Sequence, residues 1–184
     1  QRYLGQAAEF IQKSDYKNAA LCARQVLMLD RANVQAVTLL CEVTARVRSP
    51  DLVACRQMLV DLQPDNPTNR IALAEAALTF GDYNRAEQAL LRVPPDCRNT
   101  VEFHQVAAFI LAGQHKLSEA EAHFSAALKL APTNSLLKIN HAVILMQARD
   151  SNVVAGAVKT LEQNVADPVH GRAARQNLSQ GYLL

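Results

Sequence analysis

Four asparagines divide this chain at nearly equal intervals. Asn33, Asn66 and Asn99 are spaced 33 and 33 residues apart, and Asn134 follows after 35. Each lies between stretches whose apolar residues recur at helical period. Asparagine tolerates the turn conformations between helices and caps the helix that follows. Apolar stripes and turn residues that repeat together point to an array of one supersecondary unit. A unit of this size cannot bury its apolar face alone, so neighbours have to stack.

The clearest unit is Val101 to Asn134. Glu102 to about Ala112 reads as a first helix, with Ala107, Ala108 and Leu111 on one face. Gly113 and the polar residues Gln114, His115 and Lys116 make the turn. A second helix begins near Ser118, the expected N-cap. Ala120, Phe124, Ala127 and Leu128 fall at i, i+4, i+7 and i+8, a core-facing stripe. Pro132 ends it, because the ring blocks continuation and disfavours helix in the residue before it. The alanines let the two helices approach closely, and Phe124 fills the gap beside them.

This order of residue types, His104, Ala108, Leu111, Ala120, Phe124, Ala127 and Pro132, resembles the tetratricopeptide repeat, with His104 departing from the usual bulky apolar residue. The resemblance extends along the chain in units 1–33, 34–66, 67–99, 100–134 and 135–168, with a partial sixth over 169–184. Unit one offers Tyr3, Ala7 and Phe10, the turn Ser14-Asp15-Tyr16, then Ala19, Ala23 and Val26. In unit two Val37, Leu40 and Cys41 precede Ser49-Pro50-Asp51, with proline in the first turn of the second helix. Its stripe of Leu52, Cys55, Leu59 and Leu62 runs one residue out of phase. Unit three has Leu73, Ala74 and Ala77, the turn Gly81-Asp82-Tyr83, Ala86, Leu90 and Val93. Pro94-Pro95 cuts it short, and 94–98 reads as an exposed irregular loop. Unit five gives His141, Ala142 and Leu145, then Val154, Val158 and Leu161, ended by Pro168. Leu178, Ser179 and Tyr182 mark the last half-unit, and Tyr3 so near the start leads us to expect that the protein continues upstream.

The expected fold is therefore all-α: a single α-solenoid domain, a right-handed superhelix of about five helix-turn-helix units with an extra C-terminal helix. Apolar residues make up 49% of the chain and charged residues 20%, as in globular proteins. A net charge of +2 with a pI near 8.4 is too small a footprint for nucleic-acid binding, and the arginines are interspersed with carboxylates. No apolar run approaches the ~20 residues of a membrane span. Cys22, Cys41, Cys55 and Cys97 form no CxxC pair, and adjacent equivalent helices lie ~8–10 Å apart, too far for a Cys22–Cys55 disulfide. Reduced, largely buried thiols favour a cytoplasmic setting, with a bacterial envelope as the alternative. No metal or cofactor site is expected. No HExxH, phosphate loop or GxSxG elbow occurs, so the five histidines read as packing or loop residues rather than catalysts.

The resemblance implies a concave wall, lined by the first helix of each unit, that docks a protein or peptide. Residues one step round from the core stripe are its expected lining: Thr38, Glu42, Ile71, Glu75, Gln105, Phe109, Ile139, Val143 and Met146, with Leu4, Ala8, Ile11, Ala45, Leu78 and Ala112. Eleven of these fifteen are apolar, which favours a partner offering hydrophobic side chains and argues against a carboxylate clamp. Several of the alanines read instead as contacts between neighbouring first helices. Self-assembly into a homo-oligomer is the alternative function. Phe109→Glu is expected to weaken partner binding while the circular dichroism spectrum stays helical; unchanged binding would argue against the groove.

Overall fold

The computed structural model describes residues 2–148 and 150–181, and in the last helix side chains as far as Leu178. Among these residues there are eleven α-helices and no strand: α1 (Arg2–Gln12), α2 (Tyr16–Leu29), α3 (Val34–Arg46), α4 (Asp51–Leu62), α5 (Pro67–Thr79), α6 (Tyr83–Leu91), α7 (Val101–Gly113), α8 (Leu117–Leu130), α9 (Ser135–Leu145), α10 (Ser151–Asn164) and α11 (Gly171–Gly181). Ser179 and Tyr182 of the expected last stripe lie outside the described side chains. The chain, expected as one continuous array, divides into two compact units, Gln1–Val93 and Pro94–Leu184.

In Gln1–Val93 every helix packs on the next, and α1 also touches α3. Ala7, Ala19, Ala23, Ala74, Ala77 and Ala86 are wholly buried at these crossings. Small side chains there let the backbones approach, and dispersion contacts replace lost water. Larger residues fill the spaces between crossings: Val37, Leu40, Cys41, Cys55 and Leu59 form one core cluster around Ala23. The out-of-phase stripe of α4 therefore still reaches the core, although Leu52 and Leu62 are only half-buried.

In Pro94–Leu184 each helix from α7 to α11 again packs on the next, and α9 touches α11. Phe124 is fully buried beside Ala108 and Ala120. A second cluster joins Ile139, Ala142 and Met146 of α9 to Ala157 and Leu161 of α10 and to Ala174 and Leu178 of α11. Gly171 opens α11 against the Val165 carbonyl; a Cβ there would collide with that oxygen, so only glycine permits the approach. The 94–98 loop contains one 3-10 turn, Pro95–Cys97, and its Cys97 and Arg98 are half-buried rather than exposed.

The turns follow a common design with informative exceptions. Asn33, Asn66 and Asn134 accept from backbone N–H groups at the starts of α3, α5 and α9. Asn99 does not cap α7; Thr100 does, because the extra turn after Pro94-Pro95 displaces the register by one residue. Within the helix pairs, Asp15, Asp82 and Asp150 cap α2, α6 and α10. Pro50 stands at the cap position of α4 rather than inside it, leaving Ser49 Oγ to accept from Asp51 N at 3.2 Å. The expected cap Ser118 is exposed within α8; the cap position is Lys116, which has no acceptor to offer. Its backbone (φ −88°, ψ 63°) is close to that of Asp15 and Asp82 (φ −86°, ψ 71°). The residue before the cap is left-handed in three turns, at Ser14, Gly81 and His115, and in the α4 turn Arg48, two before the cap, takes the same conformation, with φ between 51° and 77°. Only Gly81 holds that conformation without steric cost.

These turns generate a prediction. Lys116→Asp supplies the acceptor that α8 lacks, so it should raise stability by about 1 kcal/mol in urea or thermal unfolding. A neutral or lower value would mean that the α8 turn is not built like those of α2 and α6.

Candidate partner-binding surface

The first helices of Gln1–Val93 expose a mixed face. Thr38 and Glu75 are exposed, as are Ala8 and Ala45, while Leu4, Ile11, Glu42 and Leu78 are half-buried. Glu42 Oε1 meets Arg46 at 3.6 Å one turn on. Glu75 has no ion-pair partner among the described residues. Ile71, expected to line a groove, is buried in α5.

In Pro94–Leu184, Gln105, Phe109 and Val143 are half-buried. The Phe109 ring stands edge-on to Phe124, 5.4 Å between centroids, and belongs to the packing of α7 on α8. Replacing it would therefore disturb the core as well as any surface. Ile139, fully buried, and Met146 belong to the core that α10 and α11 close, and Ala112 is buried beside Phe124. These side chains present almost no surface. The face is consequently less apolar than the sequence implied, because Ile71, Ile139 and Met146 are used for packing.

Two side-chain pairs were not anticipated. His104 Nδ1 and His123 Nδ1 lie 2.9 Å apart across α7 and α8. Their rings are 5.1 Å apart, and Phe103 packs edge-on against His104. One nitrogen must donate and the other accept, which needs at least one neutral ring. Burial and the neighbouring His123 hold the His104 pKa below its ordinary value; burial does the same to His123 against the pull of Glu119. His141 stacks on Phe124 with its Nε2 buried and without a hydrogen-bond partner, and burial lowers its pKa also, opposed by Glu121. In the first unit, buried Cys41 hydrogen-bonds buried Cys55, and that bond, with burial, pushes the Cys41 thiol up. All four cysteines are free thiols. The cysteine pair had a signal in the sequence, since Cys41 and Cys55 lie at nearly equal distances from the turn joining α3 and α4, whereas His104 and His123 lie at unequal distances from theirs. Among the described residues no cluster of three or more metal-ligating side chains occurs, and no helix is long and apolar enough to cross a membrane.

No family profile and no curated protein matches the chain. Solved structures do. TTC0263, a thermophilic tetratricopeptide-repeat protein of Thermus thermophilus, matches with a TM-score of 0.73 at 15% identity, covering 100% of this chain and 99% of that one. YrrB, a tetratricopeptide-repeat protein with an unusual peptide-binding site, matches with a TM-score of 0.70 at 16% identity, covering 99% and 91%. PilF of Pseudomonas aeruginosa matches with a TM-score of 0.69 at 15% identity, covering 99% and 88%. The chain thus has the α-solenoid fold of tetratricopeptide-repeat proteins.

The histidines set a pH dependence. The unfolded chain titrates near the ordinary value of 6.5, and folding lowers the pKa of His104, His123 and His141. The unfolded state therefore binds more protons as pH falls, and stability is lost from about 6.5 downward. The melting temperature should be lower at pH 5 than at pH 7.5, and His104→Leu with His123→Leu should flatten that difference. An unchanged slope in the double variant would show that the pair does not couple to folding.

Proposed function

We propose that the chain is a non-enzymatic docking scaffold, and that the first-helix face of Gln1–Val93 receives a partner helix or peptide. The observation that carries this reading is the open Glu75 carboxylate beside half-buried Leu78, with exposed Thr38 and half-buried Leu4 and Ile11 on the other first helices. Such a face offers apolar area for affinity and one open carboxylate for register. It fits an amphipathic segment that brings aliphatic side chains and a lysine or arginine for Glu75. Two further considerations support it. Repeat arrays of this fold use their extended inner surface for binding. Within Pro94–Leu184, taken by itself, the first helices carry half-buried Gln105 and Val143, a face of the same mixed kind.

Photo-crosslinking tests it. A benzophenone side chain at Thr38 or Glu75, in the protein expressed at its natural level, should capture the same partner, whereas one at exposed Gln88 on α6 should not. Thr38→Arg with Glu75→Arg should abolish capture and leave stability within about 0.5 kcal/mol, as is usual at exposed sites. Equal capture from Gln88, or capture unaffected by the double substitution, would overturn the proposal.

A further inference from the structure

The outward face of α2 carries large apolar side chains at Leu21 and Met28, where its counterparts do not, and at Leu29, where α8 has the less exposed Leu130. Leu21 is 55% exposed, Met28 76% and Leu29 84%, so three of the nine large apolar side chains most exposed among the described residues sit on this one helix. Position can be compared from the cap residues Asp15, Asp82, Lys116 and Asp150. Six residues on from each stand Leu21, Gln88, Ala122 and Gly156, all exposed. Thirteen residues on, Met28 corresponds to Pro95, Lys129 and Gln163. The fold therefore does not require Leu and Met at these positions.

Beside this strip, Arg24, Leu27, Met28 and Arg31 line a shallow hollow of about 360 Å³. Its two charged members are both guanidinium groups. Arg24 reaches Asp51 only at 4.0 Å, with both side chains mostly exposed, a pair of little energetic weight. Arg31 has no ion-pair partner among the described residues. Arg24 lies on α2 and Arg31 in the turn beyond its extended C-cap Asp30, and both border the hollow with Leu27 and Met28.

We propose that this face of α2 is a second docking surface, and that its occupant is an acidic amphipathic helix. Carboxylates along one face of a partner helix would meet Arg24 and Arg31, and a large aliphatic or aromatic side chain among them would enter the hollow over Leu27 and Met28. Guanidinium–carboxylate pairs on either side of a desolvated apolar contact fix both register and direction. No residue of the first-helix face takes part, so the two surfaces are separately testable.

The probe is a synthetic helical peptide with Glu at two positions seven apart and Leu at the positions between that share their face; its control carries Lys in place of both Glu. Titrated into isotope-labelled protein, the Glu peptide should shift amide resonances of α2 and leave those of α3 and α5 unmoved. Arg24→Glu with Arg31→Glu should weaken binding about tenfold or more, as should Met28→Asp, with helical content unchanged. The Lys peptide should bind Arg24→Glu/Arg31→Glu better than the unaltered protein. Four results would each overturn the proposal: equal binding of both peptides, shifts centred away from α2, self-association that Met28→Asp removes, or co-sedimentation with phosphatidylglycerol vesicles through these arginines in place of peptide binding.

Discussion

Contact between helices across alanine is what the rest of this structure depends on. Ala108, Ala120 and Ala127 in the second unit, like Ala7, Ala19 and Ala86 in the first, have no exposed surface. A methyl group at the crossing fixes the distance between two rods, and that distance fixes how much room remains for Phe124 or Leu59 beside it. An added methylene at such a crossing forces backbone shifts that commonly cost about 1–3 kcal/mol. Because one helix pair leaves its outer side uncovered, the same requirement is repeated at the next pair. The repetition in sequence is the record of a repeated steric condition.

The turns contribute less and vary more. Three aspartates cap the second helices, yet α4 and α8 start from proline and lysine. Three of the four left-handed turn residues carry side chains. Local signals worth roughly 1 kcal/mol each can be lost one at a time while the buried crossings hold the pairs together. This is why the second pair keeps its place in the fold despite a stripe that is out of phase and a turn without glycine.

How much was legible follows from the same distinction. Stripes and terminating prolines showed the helices, because they record which face of each helix is buried. Alignment of Ala86 and Ala120 with Ala19 showed that the faces recur. A binding face is harder to read, since exposure depends on what the next helix covers. Ile139 and Met146 look like surface residues until α11 is seen to bring Ala174 and Leu178 against their cluster. Phe109 is claimed in the same way by Phe124. Asn99 and Ser118 fit the cap pattern by type, but a one-residue displacement and a lysine in the cap position decide otherwise. The exposed side chains of α2 broke no rule of the repeat, so nothing in the pattern drew attention to them.

The distribution of two residue types gives the halves of the chain different chemical handles. Cys22, Cys41 and Cys55 are buried in Gln1–Val93, whereas all five histidines lie in Pro94–Leu184, with only the half-buried Cys97 among them as a thiol. A maleimide reagent reaches the three buried sulfurs only when the first unit opens, so its rate of attachment there follows the breathing of that half. Imidazole proton resonances report on the other half alone. The natural sequence thus permits the opening of each half to be followed separately, with no residue substituted.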